Sequence, residues 1–291
     1  MKMAGTIDES LDDKLTGAPD ELTSKSRLQQ AWVMSAGVIM NLILAVVVYA
    51  GISWSQGAIV PINDEPVVGI VSKGYPADNI GLQHGDKIIR IDSEDISTWS
   101  QMTSLVHSRP GDSLSITWSR EGFQFTDNIV PIVAKDVCDC RIIEFGLIGI
   151  VPVTEEKEIG VFAAVTNGLA ITENNVSKIY NSVCALVSGR APFSDLGGPI
   201  MIAQLAGKSA RAGFLPLLLF TAFISINLAF VNILPIPGLD GGHLLIILLE
   251  GISRREFSVK ARIRIQQVGM AFLMLLIVSV LYNDIARLIT G

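Results

Sequence analysis

Three long stretches without a charged side chain limit what this chain can fold into. They run from Leu28 to Asn63, from Ala212 to Leu239 and from Ile265 to Asn283. Within the first, Ala31 to Trp54 is almost continuously apolar, and the densest part of the second is Phe214 to Leu234. A bilayer core takes roughly 20 apolar residues as helix, because a helix satisfies its own backbone polar groups where no water can. Transmembrane helices are therefore predicted at 31–55, 211–235 and 265–284. A secretory signal opens with a short basic region. The segment ahead of residue 31 is long and acidic, so the first stretch is predicted to be a span.

Composition agrees and excludes other classes. Of the 291 residues, 49% are hydrophobic and 17% charged, where soluble domains carry about a quarter charged. A net charge of -6 argues against a nucleic-acid partner, which requires a basic face. Three cysteines are too few for a disulfide scaffold. The three histidines, His84, His107 and His243, include no pair four residues apart, so the sequence holds no His-Glu-x-x-His motif.

Positive charge near the spans sets their direction. Lys2, Lys14, Lys25 and Arg27 precede the first span; Arg254, Arg255, Lys260, Arg262 and Arg264 lie between the second and third. Residues 1–30 and 236–264 are thus predicted to be cytoplasmic, and 56–210 and the tail 285–291 extracytoplasmic. Lys208 and Arg211, just before the second span, count against this direction.

The outer segment contains a small α+β domain at 64–134. Lys87-Ile88-Ile89-Arg90-Ile91-Asp92 and the series Leu114, Ile116, Trp118 alternate as half-buried strands do. Arg120-Glu121-Gly122 turns the chain into Phe123 and Phe125, and Trp99 to His107 reads as an amphipathic helix ended by Pro110-Gly111. Pro66-Val67-Val68-Gly69-Ile70-Val71, Tyr75-Pro76-Ala77 and Gly81-Leu82-Gln83-His84-Gly85-Asp86-Lys87-Ile88 resemble a bacterial PDZ domain. Such domains take a peptide as an added strand. The groove is expected between the strand Val67, Val68, Gly69, Ile70, Val71 and the helix near Trp99 to Val106; the other reading is a PDZ fold with a blocked or purely steric groove. Residues 135–210 are expected to be a linker with amphipathic helices, a pair of them at Ile159 to Ser188 lying against the outer leaflet. Cys138-Asp139-Cys140 is read as loop or free cysteines, since two thiols alone make a poor metal site.

The stretch Asn232-Ile233-Leu234-Pro235-Ile236-Pro237-Gly238-Leu239-Asp240-Gly241-Gly242-His243 closes the second span. Pro235 and Pro237 break the helix and free backbone carbonyls. Gly241 and Gly242 permit close backbone approach. Asp240 is thereby presented on irregular backbone at the edge of an apolar segment, where an ionisable group is a functional candidate. The alternative is an interfacial Asp in an ordinary helix-ending turn.

This stretch is similar to the third-ligand motif of the site-2 protease family of intramembrane zinc metalloproteases. Leu196-Gly197-Gly198-Pro199-Ile200, Ser225-Ile226-Asn227-Leu228 and Asn283-Asp284-Ile285-Ala286-Arg287 resemble the bacterial branch typified by regulator-of-sigma-E protease, and Ala36-Gly37 with Asn41 is similar to that family's Ala-Gly-Pro-x-x-Asn, with Val38 in place of the proline. The resemblance implies a polytopic α-helical membrane protein with an inserted PDZ domain, in a bacterial inner membrane. It also implies Zn2+-assisted hydrolysis of a membrane-spanning protein substrate, such as an anti-sigma factor. Asp240 would be a zinc ligand and Asn232 would hold substrate or oxyanion, with Pro235, Pro237, Gly241 and Gly242 shaping the site. The other ligands come, in the family, from a His-Glu-x-x-His helix that this sequence lacks. Lys2-Met3-Ala4-Gly5 resembles the segment just after that helix, so the chain is expected to begin part-way through the family pattern and to be inactive alone. A non-catalytic peptide-binding membrane protein and one half of a split protease are the alternatives.

Overall fold

The computed structural model describes residues 25–193, 196–253 and 257–290. Lys2 to Gly5, Lys14, Arg254, Arg255 and Gly291 lie outside them. The helices are α1 (Arg27–Gln56), α2 (Pro76–Asn79), α3 (Trp99–His107), α4 (Val161–Val187), α5 (Pro199–Ala212), α6 (Phe214–Ile233), α7 (Asp240–Ser253) and α8 (Val259–Thr290). The strands are β1 (Ala58–Pro61), β2 (Val68–Val71), β3 (Lys87–Ile91), β4 (Glu94–Asp95), β5 (Leu114–Arg120), β6 (Phe123–Ile129), β7 (Ile132–Cys138), β8 (Arg141–Leu147), β9 (Ile150–Pro152) and β10 (Thr154–Lys157). Two compact units result. One is built from residues 53–164 and 180–191; the other from α1, the middle of α4 and the chain from residue 192 onward.

The first unit contains the PDZ-like domain. An antiparallel sheet in the order β4-β3-β5-β6 is accompanied by the pairs β2-β9, β7-β8 and β1-β10. The alternation along β5 buries Leu114, Ile116 and Trp118, which meet Ile88, Ile91, Met102 and Ile129 in one core. Helix α3 forms because Thr98 accepts from the Gln101 amide at 3.1 Å, capping its first turn, while Met102 and Val106, one turn apart, are buried. The Gly81–Asp86 turn is held by an ion pair. Fully buried Asp86 accepts from Arg120 Nε and Nη2, both at 2.7 Å, and from the Gln83 amide at 2.8 Å. The Arg120 guanidinium also donates to the Gly81 carbonyl. The hydrogen bond to Asp86, and then its charge, hold the Arg120 pKa above its ordinary value.

Only part of this unit lies within 64–134. Strands β7 to β10 continue to Lys157 where a linker is expected, and a single helix, α4, stands in place of the helix pair. For β9 the reason is non-local pairing: it joins β2 across about eighty residues, and a three-residue strand leaves almost no periodic signal; β7 and β8 form a local hairpin.

Among the described residues, the second unit contains three helices long and apolar enough to cross a membrane: α1, α6 and Lys260–Ile289 of α8. This is a multi-pass membrane protein. Its helices meet through both small and large residues. Ala45, Tyr49, Ala222 and Ile226 form a buried cluster on which Ile171, Val176 and Ile179 of α4 pack. A Cβ at Gly168 would lie 2.8 Å from the Ala50 nitrogen, so α4 approaches α1 almost backbone to backbone. Ser225 of α6 donates to the Asn41 carbonyl of α1 at 2.9 Å. Residues 240–253, within the expected loop, form helix α7, whose Glu250 is buried and accepts from the Phe257 amide and from Arg262 at 2.7–3.0 Å.

Candidate active site

The motif that ends the second span forms a tight reversal between α6 and α7. Helix α6 stops at Ile233, and neither Pro235 nor Pro237 has an N–H to extend it. The reversal is closed by short backbone bonds: Leu234 N–H to Val231 O, Ile236 N–H to Leu234 O at 2.7 Å, and Leu239 N–H to Ile236 O at 3.1 Å. The chain re-enters helix at Asp240, the first residue of α7.

Glycines make the reversal possible. A Cβ at Gly241 would collide with the carbonyls of Ile233 and Leu234, and one at Gly242 with the Ile236 carbonyl. Gly238 has φ of 104°, which L-residues rarely adopt. These contacts pack Gly241 and Gly242 against the Ile233–Pro237 backbone, with Asn232 just before that segment and Asp240 just after it. Asn232 and Asp240 are both half-buried.

Two other helices complete the surroundings. A Cβ on Gly37 of α1 would lie 3.5 Å from Asp240 Oδ2, so the carboxylate faces α1 one turn from Asn41. On α8, a Cβ at Gly269 would collide with the Pro237 carbonyl. Gly269 was not singled out from the sequence. The available signal was a lone glycine inside an apolar helix, which weakens the helix unless something must approach closely.

Asp240 supplies one hard oxygen donor at the first turn of a helix. Catalytic zinc takes three protein ligands, and among the described residues no group of three or more His, Cys, Asp and Glu is gathered to hold a metal. The described residues therefore do not by themselves fit zinc.

A second candidate site lies in the PDZ unit. A cavity of about 170 Å³ is lined by Trp99, Met102, Val106 and His107 of α3 on one side and by Leu147 to Pro152 on the other. The strand bordering this cavity is β9; Val67, Val68, Gly69, Ile70 and Val71, expected along the groove, are not among its lining residues. Strand β2 sits one position inward, paired with β9 on one edge. On the other, Val68 N–H donates to Asp86 O and Gly85 N–H to Val68 O, both at 2.8 Å. β9 crosses so near that a Cβ at Gly69 would collide with the Pro152 carbonyl.

Cys140 is also corrected: it forms a disulfide with Cys184 in the last turn of α4, and Arg190 donates to its carbonyl at 3.0 Å. Cys138 is a free, exposed thiol.

The model of peptidase family M50 matches residues 2–276. Zinc metalloprotease RasP of Oceanobacillus iheyensis is 34% identical over 269 residues, covering 92% of this chain and 62% of that protein. Regulator of sigma-W protease RasP of Bacillus subtilis is 35% identical over 265 residues, covering 91% of this chain and 61% of that protein. The chain thus spans about six-tenths of the length of these relatives. The solved PDZ domain of the SdrC-like protein from Listeria monocytogenes is 23% identical, covering 31% of this chain and 88% of that one with a TM-score of 0.26.

Proposed function

This chain belongs to peptidase family M50, and from that premise we propose that it is the larger part of a site-2-type zinc metalloprotease that cleaves membrane-spanning proteins. The observation that carries the reading is Asp240. It stands on a glycine-dependent break between two helices, with its carboxylate turned to Gly37 of α1.

In this reading Asp240 is one zinc ligand and the others come from outside this sequence. Asn232, in the last turn of α6, offers an amide donor to a substrate carbonyl or oxyanion. The Pro235–Pro237 segment departs from helix and presents a backbone edge to an unwound substrate. Unwinding is required because a helix hides its carbonyls in internal hydrogen bonds. The cavity between α3 and β9 receives a peptide segment of the substrate or admits only trimmed ones. An anti-sigma factor is the substrate class that the name of the Bacillus subtilis relative suggests.

The Cys140–Cys184 disulfide supports an extracytoplasmic PDZ unit, since disulfides persist in oxidising compartments. The charges before α1 and between α6 and α8 support the same orientation, in a bacterial inner membrane.

Zinc analysis tests the ligand assignment. The purified 291-residue chain is expected to retain well under one zinc per molecule and to cleave nothing. A version extended upstream by an in-frame helix with His-Glu-x-x-His is expected to hold one zinc, and to lose it on Asp240→Ala. Stoichiometric zinc in the unextended chain, or retention after Asp240→Ala, would overturn it.

A further inference from the structure

Two motifs singled out in the sequence play no part in the site above: Leu196-Gly197-Gly198-Pro199-Ile200 and Asn283-Asp284-Ile285-Ala286-Arg287. They meet in the fold. The Asp284 carboxylate on α8, only 3% exposed, accepts from the amides of Gly198 at 3.0 Å, Ile200 at 2.9 Å and Met201 at 3.2 Å. These are free donors at the start of α5, which no residue within that helix can satisfy. Its neighbours extend the grip. Asn283 Nδ2 donates to the Phe193 carbonyl at 3.2 Å, and Arg287 Nη1 lies 3.6 Å from Met201 Sδ.

The residues on the α5 side are suited to receive a carboxylate. A Cβ at Gly198 would lie 2.6 Å from Asp284 Oδ2 and 2.7 Å from Val280 Cγ1, so only glycine leaves room. Pro199 stands at the start of the helix, where its missing N–H costs no hydrogen bond. A buried carboxylate is costly unless its charge is met. Here three amides and the positive end of a helix meet it.

We infer that Asp284 is a positioning residue: by capping α5 it fixes where α6 begins, and so where Asn232 and Asp240 stand. Helices α5 and α6 are separated only by Gly213, whose φ is 123°. An anchored α5 therefore constrains the start of α6. The far end of α6 is held by the same helix, through Gly269 against the Pro237 carbonyl. At about 1.5 Å per residue, these two grips are about 22 Å apart along α8. One helix thus holds the α5–α6 segment at both ends. The inference rests on Asn232 and Asp240 being site residues.

The experiment reads position rather than cleavage, so it stands apart from the protease assignment. The full chain is reconstituted in lipid nanodiscs. Amide hydrogen exchange is followed across residues 198–205, and cysteines replacing Gly37 and Asp240, in a Cys138→Ser background, are crosslinked with a short bifunctional reagent. Asp284→Ala is expected to speed exchange at Ile200 and Met201 at least tenfold and to lower the 37–240 crosslinking yield several-fold. Asp284→Asn, which keeps an acceptor oxygen, is expected to fall between. If Asp284→Ala also loses protection in α3, its fold has failed. Gly198→Ala, which displaces the intact carboxylate, then decides by the same two readouts. Faster exchange with an unchanged crosslink would reduce Asp284 to a local cap and overturn the inference; unchanged exchange would remove the contact itself.

Discussion

The two units of this molecule use apolar side chains in opposite ways. In the PDZ unit a set of large ones forms an inner core: Ile88, Ile91, Met102, Leu114, Ile116 and Ile129 are all fully buried. In the membrane unit many of the large ones along the spans point outward. Met40, Val47, Phe214, Leu228, Val268, Phe272 and Leu275 are exposed, while the contacts between helices fall on Ala45, Ala222, Ala229 and glycines, together with Tyr49 and Ile226. Water explains the first arrangement, since burying apolar area there stabilises by about 25 cal/mol per Å². Lipid explains the second. Hydrocarbon removes most of the gain from hiding a leucine, so close backbone approach and hydrogen bonds hold the helices instead. The candidate active site belongs to the second kind and is built from backbone rather than from packed side chains.

Mutations can break or sharpen this contrast. The largest effect is expected at Asp240, a half-buried carboxylate in the first turn of α7. In a complete protein Asp240→Ala should reduce substrate cleavage to background while the melting temperature stays unchanged; retained cleavage would remove Asp240 from the metal. Next comes a matched pair read by unfolding in detergent. Ile116→Ala should cost about 2–5 kcal/mol because it leaves a cavity in the PDZ core. Leu275→Ala, at a position 69% exposed, should cost less than about 0.5 kcal/mol. Equal costs would mean that the outward side chains of α8 are covered by protein.

The third prediction concerns the Cys140–Cys184 link. Replacing both cysteines by serine should destabilise the PDZ unit by about 2–4 kcal/mol and expose the tip of the β7–β8 hairpin to hydrogen exchange. No change in exchange there would make the link dispensable. The fourth prediction is Gly269→Ala, an overpacking of about 1–3 kcal/mol. Its mark should be specific, namely lost protection at Leu239 and Gly242 with the PDZ unit untouched. If protection spreads evenly or stays unaltered, α8 does not brace the reversal at Pro237.

Local patterns account for what was readable in advance. The spans, the helix Trp99–His107, the strands around Ile88 and Ile116 and the turn at Glu121-Gly122 all follow from short-range periodicity or turn chemistry. The Asn232–Asp240 motif was readable for the same reason, since its prolines, glycines and carboxylate lie within twelve residues. The edge of the PDZ groove was not readable, because β9 pairs with β2 from about eighty residues away. Cys184 carried no mark of its partner, and α7 lay hidden in a segment read for its charges.

The sequence by itself determined that this chain enters a membrane, that it carries a PDZ-like unit, and that its helix break at Pro235 and Pro237 presents a carboxylate. Hydrophobic length, alternation and the missing N–H of proline act within a few residues, so they are written in order along the chain. Only the tertiary structure decided that Asp240 faces Gly37, that Gly269 receives Pro237, that β9 borders the groove and that Asp284 caps α5. Each of these depends on two backbones coming within a few ångströms across a large sequence separation. A glycine or an aspartate records that such an approach is possible without recording what approaches.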